Sequence, residues 1–492
     1  MEENEAIRPG PGPDPGPGAE SKRRRRPICY YGDDFTGSTD VLEALFRSGL
    51  KSVLFLEPPT EEQLAGPFAD AEAFGVAGVG RSMSPDEMER ELRPIFETLK
   101  RSGAAIVHYK ICSTFDSSPG TGSIGKAAEI GRDIFGGRYV PLLAGVPYLG
   151  RYTLFGHHFA AAGEAVYRLD RHPTMSRHPV TPMAESDLRL HLSGQTKLRT
   201  ALMDILALDG AVEDVRARLE ARLKAESPDI VLFDAFDEER LRTAGRLILE
   251  EAERSDALFV VGSSGVEYAL GACWREDGGP GGPAALAADA KNGGVQAGNR
   301  ERQAVGSVDR LLVVSGSCSP VTEKQIAQAL DAGFVGIRVP AHELIRPDSA
   351  EAARLRLLEE AKSRLLAGRS VVLYSASGPG DPSIAELRRA LEGQGMRAED
   401  SSRVLGAELG SLTRTLAAET ELKRVLIAGG DTSGYVTREL GIYALECVSA
   451  LAPGAPLCRA FSNDSAFDGL ELVLKGGQVG GDRFFEKVRR GE

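Results

Sequence analysis

Tyr30-Tyr31-Gly32-Asp33-Asp34-Phe35-Thr36-Gly37-Ser38-Thr39-Asp40 is the stretch from which the rest of the chain can be read. Before it, Pro27-Ile28-Cys29 is a short apolar run of the kind that ends a buried strand. After it, Leu42, Leu45 and Phe46 recur at helical spacing, Gly49 closes the helix, and Val53-Leu54-Phe55-Leu56 reads as the next strand. The unit is β-loop-α-β, the repeat of an α/β fold. In an open parallel sheet, ligands bind at the loops that leave the carboxyl ends of strands. The plain alternative is a capped turn, since Asp and Ser are good N-caps and Gly tolerates tight turns. Two adjacent aspartates at the end of a buried strand are costly without a polar partner. They point to a hydroxyl-rich substrate, a metal, or a proton to be moved.

The same pattern recurs downstream. Ala73 to Val79 reads as a strand, followed by Arg81 in a loop and by Ser84-Pro85-Asp86-Glu87, a helix start with Ser84 as cap. Arg81 is either a surface ion pair or a two-pronged clamp on a carboxylate. Ala104 to Lys110 is a further strand, and Lys110-Ile111-Cys112-Ser113-Thr114-Phe115-Asp116-Ser117-Ser118 follows at its end. A lysine among hydroxyls and an acid suits an anionic polyol, although a serine-rich turn bonding to its own backbone has the same composition. Further strands are read at Val140 to Ala144, Asp229 to Ala235 and Ala257 to Gly262. Arg151 to His158 reads as a hairpin or insertion. Its adjacent His157 and His158 would point apart on a strand and lack metal-ligand spacing. Residues 170–182 hold too many prolines for a regular element and read as a long ordered loop or lid.

At 492 residues the chain needs more than one domain. Residues 1–26, rich in Pro, Gly and Arg, are expected to be a disordered tail; 27–275 an N-terminal α/β domain; 276–307 a Gly/Pro-rich linker; and 308–492 a second α/β domain. The composition, 42% hydrophobic and 26% charged, is that of a soluble globular protein, and a net charge of −12 argues against nucleic acid as the partner. No apolar run reaches the ~18 residues of a membrane span, and no secretory signal is read. The six cysteines form no CxxC pair, so neither a zinc site nor a disulfide framework is expected, no metal-ligating residues are assigned, and the expected location is cytoplasmic.

The second half differs in chemistry. Ser315-Gly316-Ser317-Cys318-Ser319, Ser375-Ala376-Ser377-Gly378, Gly429-Gly430-Asp431-Thr432-Ser433-Gly434 and Lys475-Gly476-Gly477 each follow an apolar strand. Glycine lets backbone N–H groups come close to a phosphate, and a following helix N-terminus favours its charge. None of these loops matches GxxxxGK[ST] or a strict GxGxxG. A first half bearing acids, a lysine and an arginine, set against a second half bearing glycines and hydroxyls, suggests phosphoryl transfer across a cleft.

Gly32 to Gly37, Lys110 to Ser118, Ser315 to Ser319 and Gly429 to Gly434, with Lys475-Gly476-Gly477, together resemble the four-carbon acid sugar kinase family, which includes 3-oxo-tetronate, D-threonate and D-erythronate kinases. The resemblance implies two Rossmann-like α/β domains with a cleft between them, the first for a sugar acid and the second for ATP with Mg²⁺. It implies substrate contacts at Asp34, Arg81, Lys110, Ile111, Cys112 and Ser113, and ATP contacts at Ser315, Gly430, Asp431, Thr432, Ser433 and Gly476. Arg81 and Lys110 are expected to hold the substrate carboxylate. Asp34 or Asp33 is expected to orient or deprotonate the accepting hydroxyl, with Asp116 a third candidate. The chain departs from the family in its tail, its linker and its richer 157–182 segment, so a branched acid such as 3-oxo-isoapionate stands beside the tetronate class as acceptor. A sugar acid and ATP are the expected partners, and a homodimer is left open. Two rival readings are an NAD-dependent dehydrogenase, which needs a stricter glycine fingerprint and an acid about 20 residues on, and a non-catalytic sugar-acid sensor.

Overall fold

The computed structural model describes residues 25–178, 180–278, 305–397 and 400–492. The expected tail and linker lie outside the described residues except at 25–26, 276–278 and 305–307. In chain order the strands are β1 (Ile28–Gly32), β2 (Ser52–Phe55), β3 (Ala73–Ala77), β4 (Ile106–Lys110), β5 (Val140–Leu143), β6 (Arg151–Leu154), β7 (His157–Ala162), β8 (Ala165–Arg168), β9 (Thr200–Met203), β10 (Ile230–Phe233), β11 (Leu258–Gly262), β12 (Leu312–Ser315), β13 (Val335–Arg338), β14 (Val371–Tyr374), β15 (Arg424–Ala428), β16 (Ile442–Ala452), β17 (Ala455–Ser462) and β18 (Glu471–Lys475). The first unit forms as its sequence predicts. β1 is buried along its whole length, the helix Phe35–Arg47 follows, and Gly49 turns the chain at φ 83°. Tyr30 fits because its neighbour in β3 is Gly75; a Cβ there would lie 2.0 Å from the Tyr30 ring. The Tyr30 hydroxyl donates to the Ser38 carbonyl at 3.0 Å and pins the start of the helix to the strand.

The α/β architecture is the expected one: a mostly parallel sheet flanked by helices, with strands that are apolar on both faces. Its organisation goes beyond two separate sheets. Fifteen strands form one sheet in the order β13-β14-β12-β15-β18-β17-β16-β2-β3-β1-β4-β11-β5-β10-β9, and β6-β7-β8 form a small antiparallel sheet beside it. The join is the ribbon β16–β17: β16 pairs antiparallel with β2 through Ala444–Phe55, Leu445–Leu54 and Glu446–Val53. Pairing covers two strand edges that would otherwise be exposed. One apolar cluster runs through the join, uniting Phe35, Leu42 and Leu45 with Leu312, Val425, Leu445 and Leu472.

This join also places the loops. Between β15 and β1 lie three antiparallel pairings, β18–β17, β17–β16 and β16–β2, so along the ladder the two strands run in opposite senses. A sheet twists by roughly 20–25° per strand, which over the six steps from β15 to β1 accumulates to roughly 120–150°. The twist swings the carboxyl end of β1 back towards that of β15. The loops after both strands therefore open towards one region.

Candidate active site

Asp33 and Asp34 leave β1 and lie beside Arg81. The guanidinium donates to Asp33 Oδ1 at 2.7 Å, to Asp33 Oδ2 at 3.3 Å and to Asp34 Oδ1 at 2.8 Å. Asp34 is the N-cap of the helix Phe35–Arg47: its carboxylate accepts from Gly37 N and Thr36 Oγ1, both at 2.9 Å. The Asp33 side chain is 3% exposed and that of Asp34 24%, so of the two only Asp34 is open to solvent. Their protonation differs accordingly. Burial pushes the Asp33 carboxyl up to about 6 against the pull of Arg81. Burial also raises Asp34, but Arg81 and Lys110, with the Thr36 and Gly37 hydrogen bonds, outweigh it and hold this carboxyl below its ordinary range. Asp34 is a fixed anion and Asp33 the group that holds Arg81.

Lys110 ends β4 next to β1, with its side chain 2% exposed and its ammonium 3.8 Å from Asp40. Beyond it the predicted substrate residues divide. Ile111 donates its N–H to the Gly262 carbonyl at 2.8 Å and buries its side chain in the core, leaving its own carbonyl as the group that could meet a ligand. The Cys112 thiol contacts Thr114 Oγ1 at 2.9 Å, and that hydroxyl donates to Asp116 at 2.8 Å. The Ser113 carbonyl accepts from His158 Nε2 at 2.8 Å, and His158 Nδ1 meets Thr153 Oγ1 at 2.9 Å. A carbonyl can only accept, so Nε2 carries the proton and Nδ1 accepts from Thr153. Burial pushes the His158 imidazole down to about 4, which keeps it neutral. The Arg151–His158 segment, read as a hairpin from sequence, is β6–β7, and through His158 it braces the 110–113 loop. Residues 170–182 are irregular apart from short 3₁₀ turns, as their prolines require, with Pro179 outside the described residues.

On the other side, three loops interlock. The helix Pro320–Asp331 begins at Ser319, whose hydroxyl caps Thr322 N and donates to the Gly477 carbonyl; Thr322 Oγ1 donates to the same carbonyl at 3.0 Å. Lys475 lies fully buried beneath them and donates to Thr322 Oγ1 at 3.0 Å. The backbones are as close as glycine allows: a Cβ on Gly316 would lie 2.2 Å from Thr432 Oγ1, and one on Gly477 2.9 Å from Ser317 Oγ. Gly429, at φ 130°, turns β15 into the helix Gly430–Glu439. Of the predicted nucleotide residues, Gly430, Asp431 and Thr432 form the first turn of this helix and Gly476 opens the loop after β18. Ser433 bonds back to the Gly429 carbonyl at 2.8 Å and braces the turn instead of facing out. Ser315 Oγ is buried and has no hydrogen-bond partner among the described residues. A cavity of ≈ 220 Å³ opens beside Gly316 and Thr432, walled by Ile384, Leu387 and Leu405. Those apolar residues sit on ordinary amphipathic helices, and no sequence signal sets them apart.

The two clusters meet. The position of a Cβ on Gly430 lies 3.7 Å from Thr36 Oγ1, and one on Gly434 would lie 3.5 Å from the Phe35 ring. The N-termini of helices Phe35–Arg47 and Gly430–Glu439 thus abut, and the two helix dipoles together concentrate positive potential beside Asp34. That field suits a polyanion next to a hydroxylated acid.

Comparison with known proteins agrees with this arrangement. The chain matches the sugar-binding N-terminal domain model over residues 28–270 and the nucleotide-binding C-terminal domain model over 312–485. It is 45% identical to a 3-oxo-isoapionate kinase of Paraburkholderia graminis over 94% of each chain. The chain belongs to the four-carbon acid sugar kinase family. It shares 31% identity with a 3-oxo-tetronate kinase of Methylobacterium radiotolerans, over 93% of this chain and 97% of that one. The fold is that of a Salmonella typhimurium LT2 protein whose crystal structure was described as a suspected tRNA synthase, with TM-score 0.73, 26% identity, and coverage of 94% and 98% of the two chains. As a four-carbon acid sugar kinase, the protein is an enzyme that phosphorylates a small sugar acid with ATP as the donor. Among the described residues, no helix is long and apolar enough to cross a membrane.

Proposed function

We propose that the acceptor is a branched acid of the 3-oxo-isoapionate class, and that residues 27–275 grip it while residues 308–492 present ATP. The observation that carries the choice of acceptor is the 45% identity to the 3-oxo-isoapionate kinase, against 31% to the 3-oxo-tetronate kinase, both over nearly whole chains. The roles follow from the geometry. Asp34, ionised and fixed as a helix cap, accepts a hydrogen bond from the attacking hydroxyl and orients it. A loose phosphoryl-transfer transition state asks more for positioning than for a strong base. Lys110 supplies positive charge to the acid, and Arg81, bonded through Nε and Nη2 to Asp33 and Asp34, holds the aspartate pair in place. The first turn Gly430-Asp431-Thr432, with Ser315 and Gly476, lines the phosphates, and the cavity walled by Ile384, Leu387 and Leu405 takes the nucleoside.

Mg²⁺ is the counter-ion that ATP brings. Among the described residues no group of three or more His, Cys, Asp or Glu is placed to hold a metal; Mg²⁺ would enter with the phosphates, as is usual for a phosphate-bound ion. A reduced cytoplasmic setting and a homodimer complete the reading. The test is ATP consumption against a panel of branched and unbranched sugar acids. The expected result is a kcat/KM for 3-oxo-isoapionate at least about tenfold above that for 3-oxo-tetronate, the discrimination a pocket draws from one extra group. The reverse order would assign the tetronate class, and turnover of none would overturn the proposal.

A further inference from the structure

The cations expected to hold the substrate carboxylate are mostly engaged. Arg81 commits Nε and Nη2 to Asp33 and Asp34, and Lys110 faces Asp40. A third cation stands in the same cluster. Arg151 opens β6, opposite Ala160 in β7, and Thr153 stands opposite His158. Side chains two apart on a strand share a face, so Arg151 lies on the face of Thr153, His158 and Ala160. All three are fully buried, and His158 reaches the Ser113 carbonyl. Arg151 therefore belongs to the side of the small sheet that covers the 110–113 loop. Cys112, Asp116 and Asp40 lie within its electrostatic reach.

Arg151 is half-buried and makes no ion pair with any described residue. Nη1 donates to the carbonyls of Leu149 at 2.8 Å and Gly150 at 3.3 Å, while Nε is buried with no partner among the described residues. Burial pulls its pKa down, the mark of a charge held out of water without full compensation. Such a guanidinium is costly by itself, and an anion entering the site repays the cost through paired hydrogen bonds.

We infer that Arg151 is a substrate-anchoring residue that binds the carboxylate of the sugar acid. The inference rests on the sugar-acid reading above. It also accounts for the β6–β8 sheet, which carries the anchor over the acceptor site and, through His158, fixes the loop that ends β4.

The test compares wild type, Arg151→Gln and Arg151→Lys, each with the preferred acid of the panel and with its carboxamide. Losing a desolvated charge partner should raise the KM for the acid about 100-fold in Arg151→Gln. The KM for ATP should stay within about twofold, and the preference for acid over carboxamide should collapse. Arg151→Lys keeps the charge without the fork and should fall between, raising the acid KM about tenfold. If Arg151→Gln lacks a cooperative melt, Arg151→Lys decides. An unchanged acid KM and an unchanged preference over the carboxamide would overturn the anchor while leaving the kinase reading intact, as would equal losses on acid and ATP. A wild type that turns over no sugar acid would overturn both.

Discussion

At the scale of single residues, the roles proposed for the adjacent aspartates differ because one is buried and the other caps a helix. Asp34→Asn keeps the shape but removes the fixed charge that is proposed to orient the hydroxyl. It should lower kcat by about 10²–10³, the range of a positioned proton acceptor, with the KM for ATP changed by less than about threefold. Asp33→Asn leaves the half-buried Arg81 with one carboxylate instead of two and should appear mainly as lost stability, about 1–3 kcal/mol by urea unfolding. The opposite pattern would exchange the two roles. Lys475 gives a pH signature. Burial pulls its ammonium down from 10.5 to about 7. Between those values the unfolded chain holds a proton that the folded protein has released, so stability rises with pH across the window, by at most about 1.4 kcal/mol per unit. Lys475→Met removes this dependence. Its stability advantage over wild type should be greatest at and below pH 7 and should vanish above pH 10.5, as followed by thermal melts across pH. A difference that does not change with pH would mean that Lys475 keeps its proton in the fold. The aspartates, Lys110 and the glycines were legible in the sequence because each sits in a contiguous polar loop after an apolar strand. Arg151 was not, because the groups within its electrostatic reach, Asp40 on the helix Phe35–Arg47 and Cys112 and Asp116 on the loop after β4, are far from it in sequence and only the fold gathers them.

At the scale of elements, the nucleotide side depends on loops that touch. Gly477 carries the carbonyl that accepts from both Ser319 and Thr322, and a Cβ there would come within 3.1 Å of Ser319 Cβ and 2.9 Å of Ser317 Oγ. Gly477→Ala must therefore push the loop after β18 away from the loop after β12. It should raise the KM for ATP about tenfold while leaving binding of the sugar acid within about twofold, read by initial-rate kinetics with each substrate varied. Equal effects on both substrates would show that the loops carry the whole cleft, not the phosphates alone. The strands β1, β4, β12 and β15 were readable because they are buried on both faces and so form unbroken apolar runs. β16 was not. Ile442–Ala452 alternates buried and half-buried residues, includes Glu446 and Ser449, and ends at a Pro453-Gly454 turn, so no apolar run marks it. A ribbon exposed on one face carries a period of two that is plain only once its partner is known.

At the scale of the whole molecule, the sequence suggested two units facing a gap, and the loops do converge from both halves. What it did not contain was the means of joining them, since pairing of β2 with β16 is a contact between segments almost four hundred positions apart. The join extends beyond three residue pairs. The helix Phe35–Arg47 packs against both strands of the ribbon and the helix Gly430–Glu439. Its Glu43 accepts from the Gly454 N–H at 2.7 Å while pairing with Arg47 at 2.7 Å. The apolar cluster around Phe35, Leu42 and Leu45 continues without a break into Leu445 and Leu472. Unfolding either half alone would bare a paired strand edge and strip that cluster, which costs more than separating two domains across a polar interface. Calorimetry should therefore record one cooperative transition, not two, and saturating ATP should move it upward as a unit, by about 2.7 kcal/mol of stability at a hundredfold excess over Kd. Two resolved transitions, with only the later half of the chain protected by ATP, would show that the continuous sheet is a weak seam. In that case the acid-binding loops would have to be brought to the phosphates by domain closure, instead of being held beside them by the fold.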